Sequence, residues 1–210
     1  EPIVLPPMVP RTKTETPPRT VKAMMFGDVA AFSGLPEAHL PSFFLEFLKI
    51  VKAELTIKPT LLAQTWGDGL YIVFDDVVKA ADFAIGLLDK FRTFDFGHFK
   101  PKAGQKTGVR LGLHTGPVFE GFDAIMEVTN YFGSHVSRAA RIEPVTLPGC
   151  AYVSEQFAAA LTIARDHPFV CEYMGMQPLS KEYDTVPLYR LTVRGADESD
   201  VIPGTSPINV

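Results

Sequence analysis

The sequence predicts an α+β domain, and three observations carry that expectation. Short apolar runs of strand length alternate with longer segments whose apolar residues recur at helical spacing. A Gly-Asp-Gly turn separates two of the strand-like runs, as in a hairpin. The main elements follow the order strand, helix, strand, strand, helix, strand. That is the split βαβ arrangement of a ferredoxin-like βαββαβ core, an antiparallel-rich sheet with helices on one face.

Taken in order, Val21–Val29 is an apolar run read as a buried strand. Pro36 to Leu55 repeats Leu40, Phe43, Phe44, Phe47, Leu48, Val51 and Leu55 at helical spacing. Thr60–Trp66 and Leu70–Phe74 are strand-like, with Gly67-Asp68-Gly69 between them. The Asp-Gly pair suits the positive φ of a tight turn. Val77–Phe91 is a second amphipathic helix. Gly108–Leu113 reads as a strand, His114-Thr115-Gly116-Pro117 as a turn, and Val118–Phe122 and Ala124–Thr129 as further short strands. Phe132–Glu143 reads as a helix stopped by Pro144. A strand at Ala151–Val153, a helix from Ser154 and strands near Phe169–Met174 and Pro187–Leu191 are appended at the C-terminal side.

Composition narrows the function classes. The chain has 210 residues, enough for one domain with a sizeable core. Its net charge of −4, with no clustered basic face, argues against a nucleic-acid partner. No apolar stretch is long enough to insert in a membrane and no signal peptide opens the chain, so the expected location is the cytoplasm. Cys150 and Cys171 lack metal or redox spacing and are expected as free thiols. Residues 1–20 hold six prolines and read as an arm or linker, 21–192 as the folded domain, and 193–210 as a flexible tail. The first residue is Glu. The expectation is therefore a piece of a longer protein, with a regulatory domain elsewhere in the full chain.

Two acids open the chemical reading. Asp28 ends an apolar strand in AMMFGDVAAFSGL, and Asp68 sits in the hairpin AQTWGDGLYIVF. In a ferredoxin-like sheet the end of the first strand lies beside the turn joining the next two. Two carboxylates can meet there as hard oxygen donors for Mg²⁺ or Mn²⁺. Taken singly, each acid reads as a turn residue rather than a ligand. The loop from Phe26 to Ser33 leads toward a helix N-terminus, a place that favours phosphate, with Gly27 and Phe32 as candidate contacts. Neither a P-loop nor a dinucleotide-binding glycine motif occurs. In FGSHVSRAARI, Ser134, Ser137, Arg138 and Arg141 fall on one side of a helix, where Arg forks two bonds to phosphate. His114 and His135 lack a partner at ligand spacing and are assigned to turn and surface roles.

Four segments together resemble a known family. GDVAAFSGL, QTWGDGLYIVF, VRLGLHTGPVFEG and NYFGSHVSRAARIEP are similar, in this order, to the motifs of class III adenylate and guanylate cyclase catalytic domains, over residues 21–192. The resemblance implies a homodimer with shared active sites. It implies a purine nucleoside triphosphate as substrate, ATP before GTP, and two Mg²⁺ or Mn²⁺ ions per site. Asp28 and Asp68 would hold the metals of one subunit. The opposite subunit would supply Gln64 and Asn130 to the base, Ser137 and Arg141 to the transition state, and Lys181 to a phosphate. Gln64, Asn130 and Ser137 depart from the family's usual Lys, Asp and Asn, although some bacterial members carry the Gln and Asn pair. Each amide can donate and accept, so Gln64 and Asn130 could read adenine or guanine by flipping. Ser137 is shorter than Asn. Those departures keep open a nucleotide-binding or dimerising domain of weak or no activity that regulates a neighbour. A polymerase palm or cyclic-dinucleotide synthase shares the paired acids but lacks its Gly-Gly-Asp/Glu-Glu-Phe turn here.

Overall fold

A computed structural model describes residues 18–179 and 184–195. Residues 1–17 of the Pro-rich arm, the tail from 196 and the proposed phosphate contact Lys181 lie outside the described residues. The core elements are β1 (Thr20–Ala30), α1 (Leu40–Ile57), β2 (Leu62–Trp66), β3 (Gly69–Phe74), α2 (Val77–Arg92) and β4 (Gly108–Asp123). They are followed by β5 (Val128–Phe132), α3 (Ser134–Ile142), β6 (Ala151–Ser154), α4 (Glu155–Ile163), β7 (Phe169–Pro178) and β8 (Thr185–Val193). The strands line up as β2-β3-β1-β4-β6-β8-β7, with β5 paired to β4. The first four strands in that order are the expected ferredoxin-like core. Among the described strands only β4 and β6 pair in parallel.

Strand alternation divides the interior into two faces. Ala23, Met25, Leu70, Ile72, Phe74, Leu111 and Leu113 face α1, α2 and α4, which contribute Phe43, Phe47, Phe83, Leu87 and Phe157. The alternate residues Met24, Tyr71, Val73 and Val118 pack against Ala139 of α3. The helices therefore lie on both faces, three on one and α3 on the other, not on one face as the element order suggested.

Local chemistry fixes the helix starts. Asp76 caps α2 by accepting from Val78 and Lys79 N–H, and Ser154 caps α4 by accepting from Phe157 N–H. The loop after β1 forms two short 3₁₀ turns, Phe32–Gly34 and Glu37–His39, before α1 begins at Leu40 rather than Pro36.

One turn expectation and one strand expectation fail, each for a physical reason. His114 to Pro117 is no turn, because β4 runs unbroken from Gly108 to Asp123. Gly116 is there for close approach, since a Cβ would run into the His135 ring. Pro117 pairs with Val21 of β1 beyond the end of the β6 pairing and before β5 begins, where the other edge of β4 demands no N–H. The segment 124–127 is the hairpin turn and not a strand, because Asp123 Oδ1 accepts from Ile125 and Met126 N–H and bends the chain.

Candidate functional site

The face covered by α3 carries most of the residues singled out from sequence. Trp66 pairs directly with Gly69, so the β2–β3 turn has two residues, Gly67 and Asp68. Gly67, not Gly69, takes the positive φ of 61°, in the manner of a turn with glycine first. This tight turn projects Asp68 against the end of β1. Asp28 Oδ1 accepts from Val29 N–H at 2.9 Å and Asp68 Oδ2 approaches the same N–H at 3.3 Å. The two acids predicted from separate segments are therefore brought together.

Two further residues join them that the sequence reading missed. Arg110, opposite Asp28 on β4, donates from Nη2 to Asp28 Oδ2 at 3.0 Å. Its Nε forms an ion pair with Glu143 Oε1, just past the end of α3. Gly112 lets Glu143 sit there, because a Cβ at 112 would meet the Glu143 backbone. The available signal was a lone charge in the apolar run GVRLGL. Asp28 and Glu143 share the Arg110 guanidinium, and Asp68 adds a third carboxylate beside Asp28. Burial, then the neighbouring Asp28 carboxylate, pushes Asp68 up to about 7. Burial also pushes Glu143 up to about 7, assisted by Asp28 and opposed by Arg110. Such a surplus of hard oxygen donors suits a small divalent cation. Among the described residues no group of three or more His, Cys, Asp or Glu is arranged to hold a metal alone. Two carboxylates are the share Mg²⁺ commonly takes from a protein when phosphates and water supply the rest.

The other expected residues are distributed around this cluster. Gln64 is half-buried on β2, opposite Tyr71 of β3 and on the same face. Phe26 of β1 stacks on Tyr71 with ring centroids 4.7 Å apart. Tyr71 Oη donates to the Tyr131 carbonyl at 3.0 Å, and Asn130 precedes Tyr131 on β5. Gln64 thus lies across from Tyr71, and Asn130 lies next to the residue whose carbonyl Tyr71 reaches. Asn130 is not free to flip: its Oδ1 accepts from Tyr131 N–H at 2.8 Å, and its Nδ2 donates to Asp123 Oδ2 at 3.2 Å. Ser137 is exposed on α3, and Arg141 stands in its last turn, one step before Ile142 is buried. Gly27 serves packing, since a Cβ there would come within 2.8 Å of Leu111. The Phe32 ring lies against Phe43, centroids 5.6 Å apart, and its carbonyl accepts from Leu35 N–H at 2.9 Å.

The histidines do not fill turn and surface roles. His114 is fully buried, with Nδ1 2.7 Å from Ser154 Oγ and Nε2 2.8 Å from His135 Nδ1. Burial, then the nearby His135 and Arg138 charges, lowers His114 to about 3. Cys150 is buried and Cys171 partly so, and both are free thiols. A cavity of about 150 Å³ between Arg138, Ser154, Glu155, Leu179 and Pro187 includes Arg138 of the candidate phosphate face but neither Asp28 nor Asp68. No described helix is long and apolar enough to cross a membrane.

Comparison with known proteins identifies the family and the fold. Residues 16–182 match the family described as adenylate and guanylate cyclase catalytic domain. Guanylate cyclase 2G of Rattus norvegicus is 36% identical over 87 residues, and that of Mus musculus 38% over 87. The match covers 41% of this chain but only 8% of either relative, so the chain spans a small part of their length. Among solved structures, the adenylyl cyclase CyaB from P. aeruginosa superposes with a TM-score of 0.70 at 17% identity, covering 87% of this chain and 97% of that one. The guanylate cyclase domain of RhGC from Catenaria anguillulae, solved with GTP, gives 0.67 at 18% identity, covering 83% and 97%.

Proposed function

Because the chain belongs to the adenylate and guanylate cyclase catalytic domain family, we propose that it converts a purine nucleoside triphosphate, ATP in preference to GTP, to its 3′,5′-cyclic nucleotide. The ribose 3′-oxygen bonds to the α-phosphorus, the bond from that phosphorus to the bridging oxygen breaks, and pyrophosphate leaves. The hydroxyl proton is lost to solvent. The observation that carries the reading is the meeting of Asp28 and Asp68 in a cluster short of positive charge. Asp28 and Asp68 would hold two Mg²⁺ or Mn²⁺ ions, which supply charge neutralisation for the attacking oxygen and the triphosphate.

The chain's own residues position the substrate. Gln64 and Asn130 line the base end above the Phe26 and Tyr71 rings. Arg141 reaches the α-phosphoryl group or the leaving pyrophosphate of the opposite subunit's site, a directed charge at the point where charge develops. A homodimer is part of this reading. Its support is the apolar β4–β5 hairpin, where Phe122 is 72% and Ile125 92% exposed, with Met126 and Phe132 beside them. Ser137 in place of Asn favours a slow enzyme, and in the limit a nucleotide-binding regulatory domain.

Product analysis by mass spectrometry with each of the four common triphosphates and Mn²⁺ tests the proposal. Cyclic AMP is expected, with less product from GTP. Asp28→Ala and Asp68→Ala should each remove it, and mixing Asp28→Ala with Arg141→Ala chains should restore part of it. Trp66, the single tryptophan, is 67% exposed two residues before Asp68, so its fluorescence should report Mn²⁺ and nucleotide independently of turnover. Binding of a non-cyclisable analogue without product from any triphosphate would replace the enzyme by the regulatory domain.

A further inference from the structure

We propose that Asp123 is a positioning residue that sets which purine the domain selects, by locking the side-chain amide of Asn130 in one orientation. The inference rests on the reading above that Asn130 faces the base. Two contacts define the lock. Asp123 Oδ2 lies 3.2 Å from Asn130 Nδ2, and the Tyr131 N–H lies 2.8 Å from Asn130 Oδ1. A carboxylate only accepts and a backbone N–H only donates. Both contacts therefore demand the same amide orientation, nitrogen toward Asp123 and oxygen toward Tyr131. Reversing the amide would set oxygen against carboxylate and an NH₂ against an N–H.

Asp123 is itself held in place. Its Oδ1 accepts from Ile125 N–H at 2.9 Å and Met126 N–H at 3.1 Å, closing the hairpin turn. The same backbone bonds, with the Asn130 amide, keep its carboxyl below the usual range, so it stays an acceptor at neutral pH. Its second oxygen is thereby aimed at Asn130. Asn130 is spaced across from Gly121, where no side chain competes for the amide.

The consequence is chemical selectivity. A free amide presents donor and acceptor in either order, and so accommodates both purines. Adenine offers an NH₂ donor beside a ring-nitrogen acceptor, whereas guanine offers a carbonyl acceptor beside a ring N–H donor. A locked amide keeps one N–H and one lone pair in fixed places. It matches one of these edges and leaves unpaired polar groups against the other, a mismatch that sites built on hydrogen bonds punish strongly. A Gln and Asn pair therefore need not be indiscriminate.

Asp123→Asn tests this with little change of shape. The new side chain keeps an oxygen for Ile125 and Met126 N–H, so the turn remains capped. It replaces the atom facing Asn130 by an NH₂ donor, which removes the demand for one orientation. Asp123→Ser, which also caps such turns, is the second variant should the first fold poorly. Affinities of 3′-deoxy-ATP and 3′-deoxy-GTP with Mn²⁺ are measured by calorimetry on wild type, Asp123→Asn and Asn130→Ala, beside kcat/KM for ATP and GTP. The expected result is a wild-type preference that falls at least about tenfold in Asp123→Asn, with melting temperature and oligomer mass unchanged. An unchanged ratio in both Asp123 variants, when Asn130→Ala does change it, overturns the inference alone. A ratio indifferent to Asn130→Ala, or wild-type protein that binds neither analogue, overturns the underlying assignment of Asn130 to the base. Equal wild-type affinity for both purines also overturns the lock.

Discussion

Two charge clusters lie on opposite faces of the sheet, and they are built to opposite rules. Between α1 and α2, Glu54 is fully buried, with Lys58 Nζ 2.9 Å and Lys90 Nζ 2.7 Å from its oxygens. Lys58 also meets Asp82 at 3.1 Å, so two carboxylates face two ammonium groups. Gly86 leaves the space for Glu54, since a Cβ there would meet its carboxylate. On the α3 face, Asp28 and Glu143 both pair with Arg110, and Asp68 adds a third carboxylate beside Asp28. The first cluster is closed and balanced. The second is part-exposed and under-neutralised, with Asp68 and Glu143 both pushed up to about 7. Stability alone would favour balance in both places. A surplus kept at the mouth of a turn is what a ligand of opposite charge requires.

The difference gives the largest expected effects opposite signs. Asp68→Asn removes one of two repelling carboxylates and should raise the metal-free melting temperature by about 2–4 °C, for about 1 kcal/mol. The same change should lower Mn²⁺-dependent turnover by about 10³-fold or more, through loss of a metal ligand. Thermal melts and product assays on one preparation check both. A variant that loses stability and keeps activity would reverse the roles given to the two clusters.

Glu54→Ala attacks the balanced cluster. It removes the ion-pair partner of Lys90, leaves Lys58 with Asp82 alone, and opens a hole between α1 and α2. Breaking a buried pair from one side costs about 3 kcal/mol, a fall of about 10 °C in Tm for a domain of this size. Both lysines reach solvent at their tips, which holds the cost near the lower end of that class. The purine preference and the Mn²⁺ dependence of the folded fraction should stay as in wild type, read by kinetics well below the melt.

Acid pH separates the clusters from a third feature on the α3 face. His114 is held neutral, its proton affinity lowered to about 3 from an ordinary 6.5. Between those values the unfolded chain binds the extra proton and the folded one does not, so stability falls as pH drops. The linkage amounts to about 2 kcal/mol between pH 7 and pH 5. Arg138 and the His135 ring face it, and both oppose its charging. Asp68 and Glu143, pushed up to about 7, bind protons in the fold over the same range and act in the opposite sense. The test is therefore a difference: melting curves of His114→Asn should gain stability relative to wild type as pH falls from 7 to 5. A difference that does not change with pH would assign the acid sensitivity to other groups.

These contrasts also mark what the sequence made legible. The core order, the hairpin at Asp68 and the convergence of Asp28 with Asp68 follow from periodicity and turn chemistry, which act over a few residues. Arg110, Glu143 and Asp123 were not visible, because each matters through a partner brought near by register or by the seating of a helix. Asp28 and Arg110 are opposed only once β1 and β4 pair. The same blindness turned Gly116 and Pro117 into a turn. Both are turn formers in isolation, yet here one admits the His135 ring and the other sits where no N–H is needed. The free flip expected of Asn130 failed for the same reason, since Asp123 lies seven positions away along the chain but across one hairpin.

The smallest expected effect bears on how the under-neutralised cluster meets α3. Ser137 is exposed, and its N–H donates to the Gly133 carbonyl at 3.3 Å in the first turn of the helix. Ser and Asn differ little in helix propensity, so Ser137→Asn should leave Tm almost unchanged. It lengthens the side chain and adds an amide donor on the face proposed to enter the partner's site. A new bond made mainly in the transition state raises kcat and leaves KM in place. An increase of about tenfold in kcat corresponds to about 1.4 kcal/mol, the worth of one well-placed hydrogen bond. Steady-state rates for Ser137→Asn, Arg141→Ala and the double variant decide where the gain lies. If the longer amide at position 137 helps only when Arg141 is present, the two act on one developing charge. If kcat does not move while Arg141→Ala removes it, the arginine alone meets the charge held opposite Asp28 and Asp68, and position 137 stands outside the reaction.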